Sequence, residues 1–186
     1  MKATPEWRLR AELVAIGARL DRKGLVRGGE GNFSAKLDEE TFLISPRGRR
    51  KGTLTAWELV RSPLRGKLPP EASSEALLHQ EILAQHQHAS WVVHAHPPWV
   101  LALLSMTKAP DTSQLWETAG VSLRLLPDLA PGTVELARKA GEAAFQANTL
   151  LLPRHGLVVV GKRSQEVMAL LETLELLSFL TWARCR

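Results

Sequence analysis

The sequence predicts an α/β fold, on three observations. Apolar segments with helical spacing alternate along the chain with short β-branched or leucine-rich runs, and glycines or prolines punctuate most junctions. The length, 186 residues, suits one domain spanning 1–186 and a core of ordinary size. Hydrophobic residues make up 45% and charged residues 23%, proportions that point away from both disorder and a membrane protein.

Taken in order, Thr4-Pro5-Glu6 reads as an N-cap, a proline at the first helical position and a first-turn acid. Leu9, Leu13, Ile16 and Leu20 then continue a helix to about Arg22, closed by Gly24. Arg27-Gly28-Gly29-Glu30-Gly31-Asn32-Phe33-Ser34 is too glycine-rich for a helix and reads as a specialised loop from which Phe33 and Leu37 enter a strand. Thr41 to Ser45 is a strand stopped by Pro46, and Thr55-Ala56-Trp57-Glu58 has capping-box spacing for a short helix. An irregular stretch runs to Pro69-Pro70. Ser73-Ser74-Glu75 then opens a helix through Leu77, Leu78, Glu81, Ile82 and Gln85 to about His86. Trp91 to His96 is a strand halted by Pro97-Pro98, with Pro98 starting a helix to Leu104. Val121 to Leu125 is a further strand, and Thr133 caps a helix to about Asn148. Leu150 to Leu152 and Leu157 to Val160 flank His155-Gly156, and Ser164 caps a final helix through Trp182.

Composition limits the chemistry. The single cysteine, Cys185, excludes an internal disulfide and a cysteine-based zinc site, leaving histidines and carboxylates for any metal. No apolar run approaches the ~20 residues of a membrane span and the start lacks a hydrophobic signal stretch, so the expectation is a cytoplasmic protein with no membrane partner. The formal charge is +5, but the densest basic run, Arg47-Gly48-Arg49-Arg50-Lys51, is short and lacks aromatics, which argues for a loop and against nucleic acid.

His94 and His96 stand two apart on a strand and share a face, as metal ligands or as hydrogen-bonded core histidines. His155 before Gly156 would complete a three-imidazole site with an open position, the arrangement of a catalytic zinc; alone it reads as a turn histidine. His79, His86 and His88 read as solvated or amphipathic positions. Glu75 in the first turn of its helix is either an acid at the favourable dipole end or a site carboxylate. Ser73 and Ser74 suit phosphate binding or plain capping. The Gly28–Ser34 loop offers close backbone approach plus the Asn32 amide, without matching the Walker or dinucleotide patterns.

The ordered set Gly31-Asn32-Phe33-Ser34, Ser45-Pro46-Arg47-Gly48, Ser73-Ser74-Glu75 with His79, His94-Ala95-His96-Pro97 and His155-Gly156 closely resembles the class II aldolase/adducin family, in particular its fuculose-1-phosphate aldolases. The resemblance spans nearly the whole chain. It implies a three-layer α/β/α fold with a central, mainly antiparallel sheet, and a homotetramer with sites at subunit interfaces. It implies that His94, His96 and His155 bind Zn2+ or another divalent transition metal, and that Glu75 caps the empty metal and acts as the base. It implies that Gly31, Asn32, Gly48, Ser73 and Ser74 hold a substrate phosphate. Arg47 stands where the family often has Ser or Thr, and either contacts the phosphate as a guanidinium or belongs to a basic surface loop. The chain contains no tyrosine, whereas the fuculose-phosphate aldolases use tyrosines at the aldehyde oxygen. Glu117 beside Trp116 is a positional candidate for that proton donor, against an ordinary surface acid.

The implied activity is cleavage of a ketose 1-phosphate to dihydroxyacetone phosphate and an aldehyde of the lactaldehyde type. Within the fold the alternatives are a methylthioribulose-phosphate dehydratase or a ribulose-phosphate 4-epimerase, relatives that generally replace the equivalent of Glu75. A non-enzymatic adducin-like module is the third reading, opposed by the three histidines.

Overall fold

The computed structural model describes residues 5–106 and 120–184 of the chain. The element order is α1 (Glu6–Arg22), β1 (Asn32–Lys36), β2 (Thr41–Ile44), two 3-10 turns (Lys51–Thr53 and Ala56–Glu58), β3 (Val60–Pro63), α2 (Ala76–Gln85), β4 (Trp91–Ala95), α3 (Pro98–Leu104), β5 (Leu123–Leu125), α4 (Val134–Ala143), β6 (Thr149–Leu152), β7 (Gly156–Gly161) and α5 (Ser164–Arg184). The described strands form one seven-stranded sheet in the order β3-β2-β1-β4-β7-β6-β5. Every neighbouring pair is antiparallel except β5 and β6 at one edge. Because the central β1-β4-β7 ladder joins segments far apart in sequence, its residues meet only when the sheet is assembled.

Strand alternation sends successive side chains to opposite faces, and each face has its own core. Phe33, Val93 and Val159 pack with Leu13 of α1, Val100 of α3 and Leu171 of α5. Phe42, Val92 and Val158 pack with Ile82 of α2 and Leu136 of α4. The layers are therefore helix, sheet, helix, as expected. The same parity puts Asn32, Ser34 and His94, which alternate with Phe33 and Val93, on the face covered by α2.

Several boundaries differ from the sequence reading. Pro5 occupies the cap position of α1, accepting from the N–H groups of Arg8 and Leu9, and Thr4 lies outside the described residues. β3 falls within the stretch read as irregular, since a four-residue edge strand holding Arg61 and Pro63 shows no hydrophobic alternation. α4 stops at Ala143, short of Asn148, whose side chain instead accepts from the Ser122 N–H and donates to the Gly120 carbonyl. β5 begins at Leu123, two residues after the expected start. The Thr55–Glu58 capping box is present, but it opens only a 3-10 turn. Among the described residues no helix is long and apolar enough to cross a membrane. Cys185, Trp116 and Glu117 lie outside the described residues.

Candidate active site

His94 leaves β4 toward α2, His96 follows the end of that strand, and His155 sits in the tight turn between β6 and β7. Gly156 makes the turn possible: its φ is +152°, and a Cβ there would lie 2.3 Å from the Ala95 carbonyl oxygen. With that approach, His94 Nε2 lies 2.9 Å from His96 Nε2 and 3.2 Å from His155 Nε2. His94 Nδ1 donates to the Leu157 carbonyl at 2.9 Å, which turns Nε2 toward the cluster. Burial, reinforced by His94, takes His96 down to about 4, which leaves that ring neutral near pH 7, and burial likewise lowers His155.

Glu75 completes the cluster, with Oε2 3.2 Å from His94 Nε2 and Oε1 3.6 Å from His155 Nε2. Oε1 is buried without a hydrogen-bond partner. Three imidazole nitrogens and a carboxylate crowded in this way are a set of electron-pair donors that a divalent cation would reconcile, and the residues fit such an ion. Glu75 is not in the first turn of α2, as expected from sequence, but at its N-cap position, where non-helical φ/ψ turns the side chain out of the helix and toward the histidines. Burial works to raise its carboxyl. His94, together with the Asn32 hydrogen bond and His155, outweighs burial and holds it well below the usual carboxylate range.

Behind Glu75 runs a buried chain of hydrogen bonds. The Ser34 hydroxyl lies 2.6 Å from His79 Nδ1, His79 Nε2 meets Asn32 Oδ1, and Asn32 Nδ2 donates to Glu75 Oε2 at 2.9 Å. An amide oxygen only accepts, so His79 carries its proton on Nε2 and Nδ1 accepts from Ser34. His79 is fully buried, and burial first, then His94, pushes it down to about 3, so it is neutral. This overturns the reading of His79 as a solvated position. His86 departs too, buried 2.9 Å from the Gly141 carbonyl and against the Phe145 ring, whereas His88 is exposed.

The segments expected to hold phosphate also converge. The Ser73 N–H donates to the Ser45 carbonyl at 3.2 Å, Pro46 bridges Ala72, and a Cβ on Gly29 would lie 3.5 Å from Gly48. Gly31 has φ +66°, and a Cβ there would meet Val26 at 2.5 Å and the His94 carbonyl at 2.8 Å, so the loop lies directly against the end of β4. Ser73 is buried and its hydroxyl accepts from the Glu75 N–H at 3.3 Å, while Ser74, Arg47 and Gly48 are exposed.

Residues 11–181 match the family described as Class II Aldolase and Adducin N-terminal domain. The chain belongs to that family. This class II aldolase-family chain is 31% identical over 179 residues to the 3-oxo-tetronate 4-phosphate decarboxylase of Pectobacterium atrosepticum, covering 91% of this chain and 82% of that protein. It is 29% identical over 181 residues to the 5-methylthioribulose-1-phosphate/5-deoxyribulose-1-phosphate aldolase of Rhodospirillum rubrum, covering 95% and 81%. Among solved structures it is similar to L-fuculose-1-phosphate aldolase from Thermus thermophilus, with a TM-score of 0.81, 29% identity and coverage of 96% and 95%. The family member's buried His79 and Ser34 are the residues that sequence reasoning missed. The signal was available: His79 stands four residues after Glu75 on the same helical side, and Ser34 two after Asn32 on the same strand face.

Proposed function

We propose that this chain is a zinc-dependent lyase that breaks the carbon–carbon bond one carbon removed from the ketone of a phosphorylated sugar, cleaving a ketose 1-phosphate of the fuculose 1-phosphate type to dihydroxyacetone phosphate and an aldehyde. The observation that carries it is the unpartnered Glu75 oxygen buried against three convergent imidazoles. In this reading His94, His96 and His155 would hold the ion, whose contribution is a Lewis acid for charge developing on the ketone oxygen. Glu75 accepts or returns the proton at the carbon beside that ketone. Asn32, oriented by His79, keeps the carboxylate aimed. Gly31, Asn32, Gly48, Ser73 and Ser74 receive the phosphate, with Arg47 adding a guanidinium from the exposed side of the turn. A homotetramer with sites at subunit interfaces belongs to the same reading, on the strength of the resemblance.

A second reading is favoured by one observation, the absence of any tyrosine. Retro-aldol cleavage needs a group to manage the proton on the departing aldehyde's oxygen, whereas loss of carbon dioxide from a 3-oxo acid phosphate does not. Both cleavages leave the same three-carbon phosphate awaiting one proton at carbon, so Glu75 serves either. The test is a screen of zinc-supplied protein against fuculose 1-phosphate, 5-deoxyribulose 1-phosphate and 3-oxo-tetronate 4-phosphate, following dihydroxyacetone phosphate, aldehyde and carbon dioxide together. Release of dihydroxyacetone phosphate with aldehyde supports the aldolase. Its release with carbon dioxide moves the assignment to the decarboxylase, and its absence from every substrate, with dehydration of a thio-sugar phosphate instead, refutes both.

A further inference from the structure

The basic run Arg47–Lys51 is not uniformly a surface feature. Arg47, Arg49 and Arg50 are exposed, but Lys51 retains only 2% exposure, and a buried lysine is costly unless its ammonium is fully engaged. Here it is: Nζ donates to the carbonyls of Arg49 at 2.7 Å, Gly29 at 3.0 Å and Pro46 at 3.3 Å, one for each ammonium proton. The Lys51 backbone N–H adds a bond to the Gly28 carbonyl at 3.2 Å. Gly28 and Gly29 belong to the loop that leads into Gly31 and Asn32. Pro46 and Arg49 bracket the Arg47-Gly48 turn, and Gly29 packs against Gly48. One ammonium therefore laces together two of the segments assigned above to the phosphate.

From this geometry we propose that Lys51 is a positioning residue for phosphate recognition, holding the Gly28–Asn32 loop and the Pro46–Arg49 turn in the mutual register that an oxyanion requires. The inference rests on the phosphate reading given under Proposed function. Lys51 does not touch the anion, because its three protons are taken by carbonyls and its side chain is closed off from solvent. It acts through the backbone: an anion site assembled from separate loops loses affinity steeply when those loops drift by about 1 Å. Burial lowers the Lys51 ammonium to about 8, which leaves it charged at neutral pH, as three converging carbonyl oxygens need.

The test uses zinc-loaded protein and inorganic phosphate as the probe. In Lys51→Met, which keeps the length of the side chain without its charge, the phosphate dissociation constant is expected to rise at least about tenfold, while bound zinc per chain stays as in the parent. Ser73→Ala serves as the reference for the anion site and should weaken phosphate as well. Lys51→Gln, which retains two N–H donors, is measured beside Lys51→Met and replaces it if the methionine variant does not fold. Amide hydrogen exchange on the unaltered protein adds a reading independent of substitution, with phosphate protecting residues 28–32 and 47–49 together. A role confined to stability would lower the melting temperature and leave the phosphate constant alone. Unchanged phosphate affinity in both Lys51 variants with a weakened Ser73→Ala, or protection of one loop without the other, overturns the role of Lys51 and leaves the lyase reading standing. Absence of phosphate binding by the unaltered protein, or indifference to Ser73→Ala, overturns the phosphate site and this proposal with it.

Discussion

The imidazole of His94 is fixed by one bond to the Leu157 carbonyl, and that bond leaves a single nitrogen for the cluster. Removing any one ring leaves two imidazoles, which with the Glu75 carboxylate fall short of a four-coordinate site, so His94→Ala and His155→Ala should each lose zinc, read by elemental analysis, together with activity. Retention of stoichiometric metal in either would refute the ligand assignment. Glu75→Gln keeps the shape and the Asn32 contact but not the basicity. It should retain metal while exchange of the carbon-bound hydrogen of dihydroxyacetone phosphate with solvent falls by ~10² to 10⁴. His79 carries a pH signature. Its folded-state value of about 3 lies below the ordinary 6.5, so between those limits the unfolded chain binds a proton that the folded chain refuses. Its contribution to stability is therefore complete above pH 6.5 and is lost as pH falls toward 3, with a slope of at most about 1.4 kcal/mol per pH unit. Urea midpoints at pH 7, 5 and 4 should fall less steeply in His79→Gln than in the parent. Arg47→Ser, at an exposed position, should raise KM for phosphorylated substrates roughly fivefold and leave unphosphorylated analogues unchanged. Equal shifts for both would assign Arg47 to the surface loop.

At the scale of elements, the site depends on where strands and helices end. β4 delivers His94 from within the sheet and releases His96 just beyond it, while α2 begins one residue after Glu75 and so leaves that carboxylate outside the helical turn. Most of this was legible in the sequence. The His-x-His spacing on a β-branched run, the proline stop behind it and the Ser-Ser-Glu helix start each had a local cause, and β4 and α2 both formed, α2 starting at Ala76, just after Glu75. What was not legible depended on partners. The spacing of His79 after Glu75 puts it on the side of the site, but its burial follows only once β1 places Asn32 and Ser34 opposite it, and nothing marks Lys51 as buried until the Gly29 carbonyl closes on it beside those of Pro46 and Arg49. β3 escaped for the same reason, because pairing with β2 defines it and its own residues do not. Gly31→Ala tests the junction of loop and strand. A left-handed φ and a Cβ 2.8 Å from the His94 carbonyl should together cost roughly 2 kcal/mol in chemical denaturation and weaken zinc binding, because the end of β4 must move.

At the scale of the whole molecule, the His94 and His155 rings meet across 61 residues of chain, so the cluster exists only after β4 and β7 have paired. An ion bound there is bound by the folded state alone. Its removal with a chelator should lower the melting temperature in a concentration-dependent way, by about 4 kcal/mol in stability where free zinc had stood at 1,000 times its dissociation constant. The buried row from Ser34 to Glu75 has a further consequence for proton traffic. Every donor in it points toward the carboxylate, and its last member, Asn32, is an amide with no proton to surrender at neutral pH. The row is an insulator rather than a conduit. On the lyase reading, a proton moved by Glu75 therefore neither comes nor goes through this row. In the proposed cleavages each turnover places one such proton at carbon, so reaction in deuterated water should leave one deuterium in each molecule of dihydroxyacetone phosphate formed.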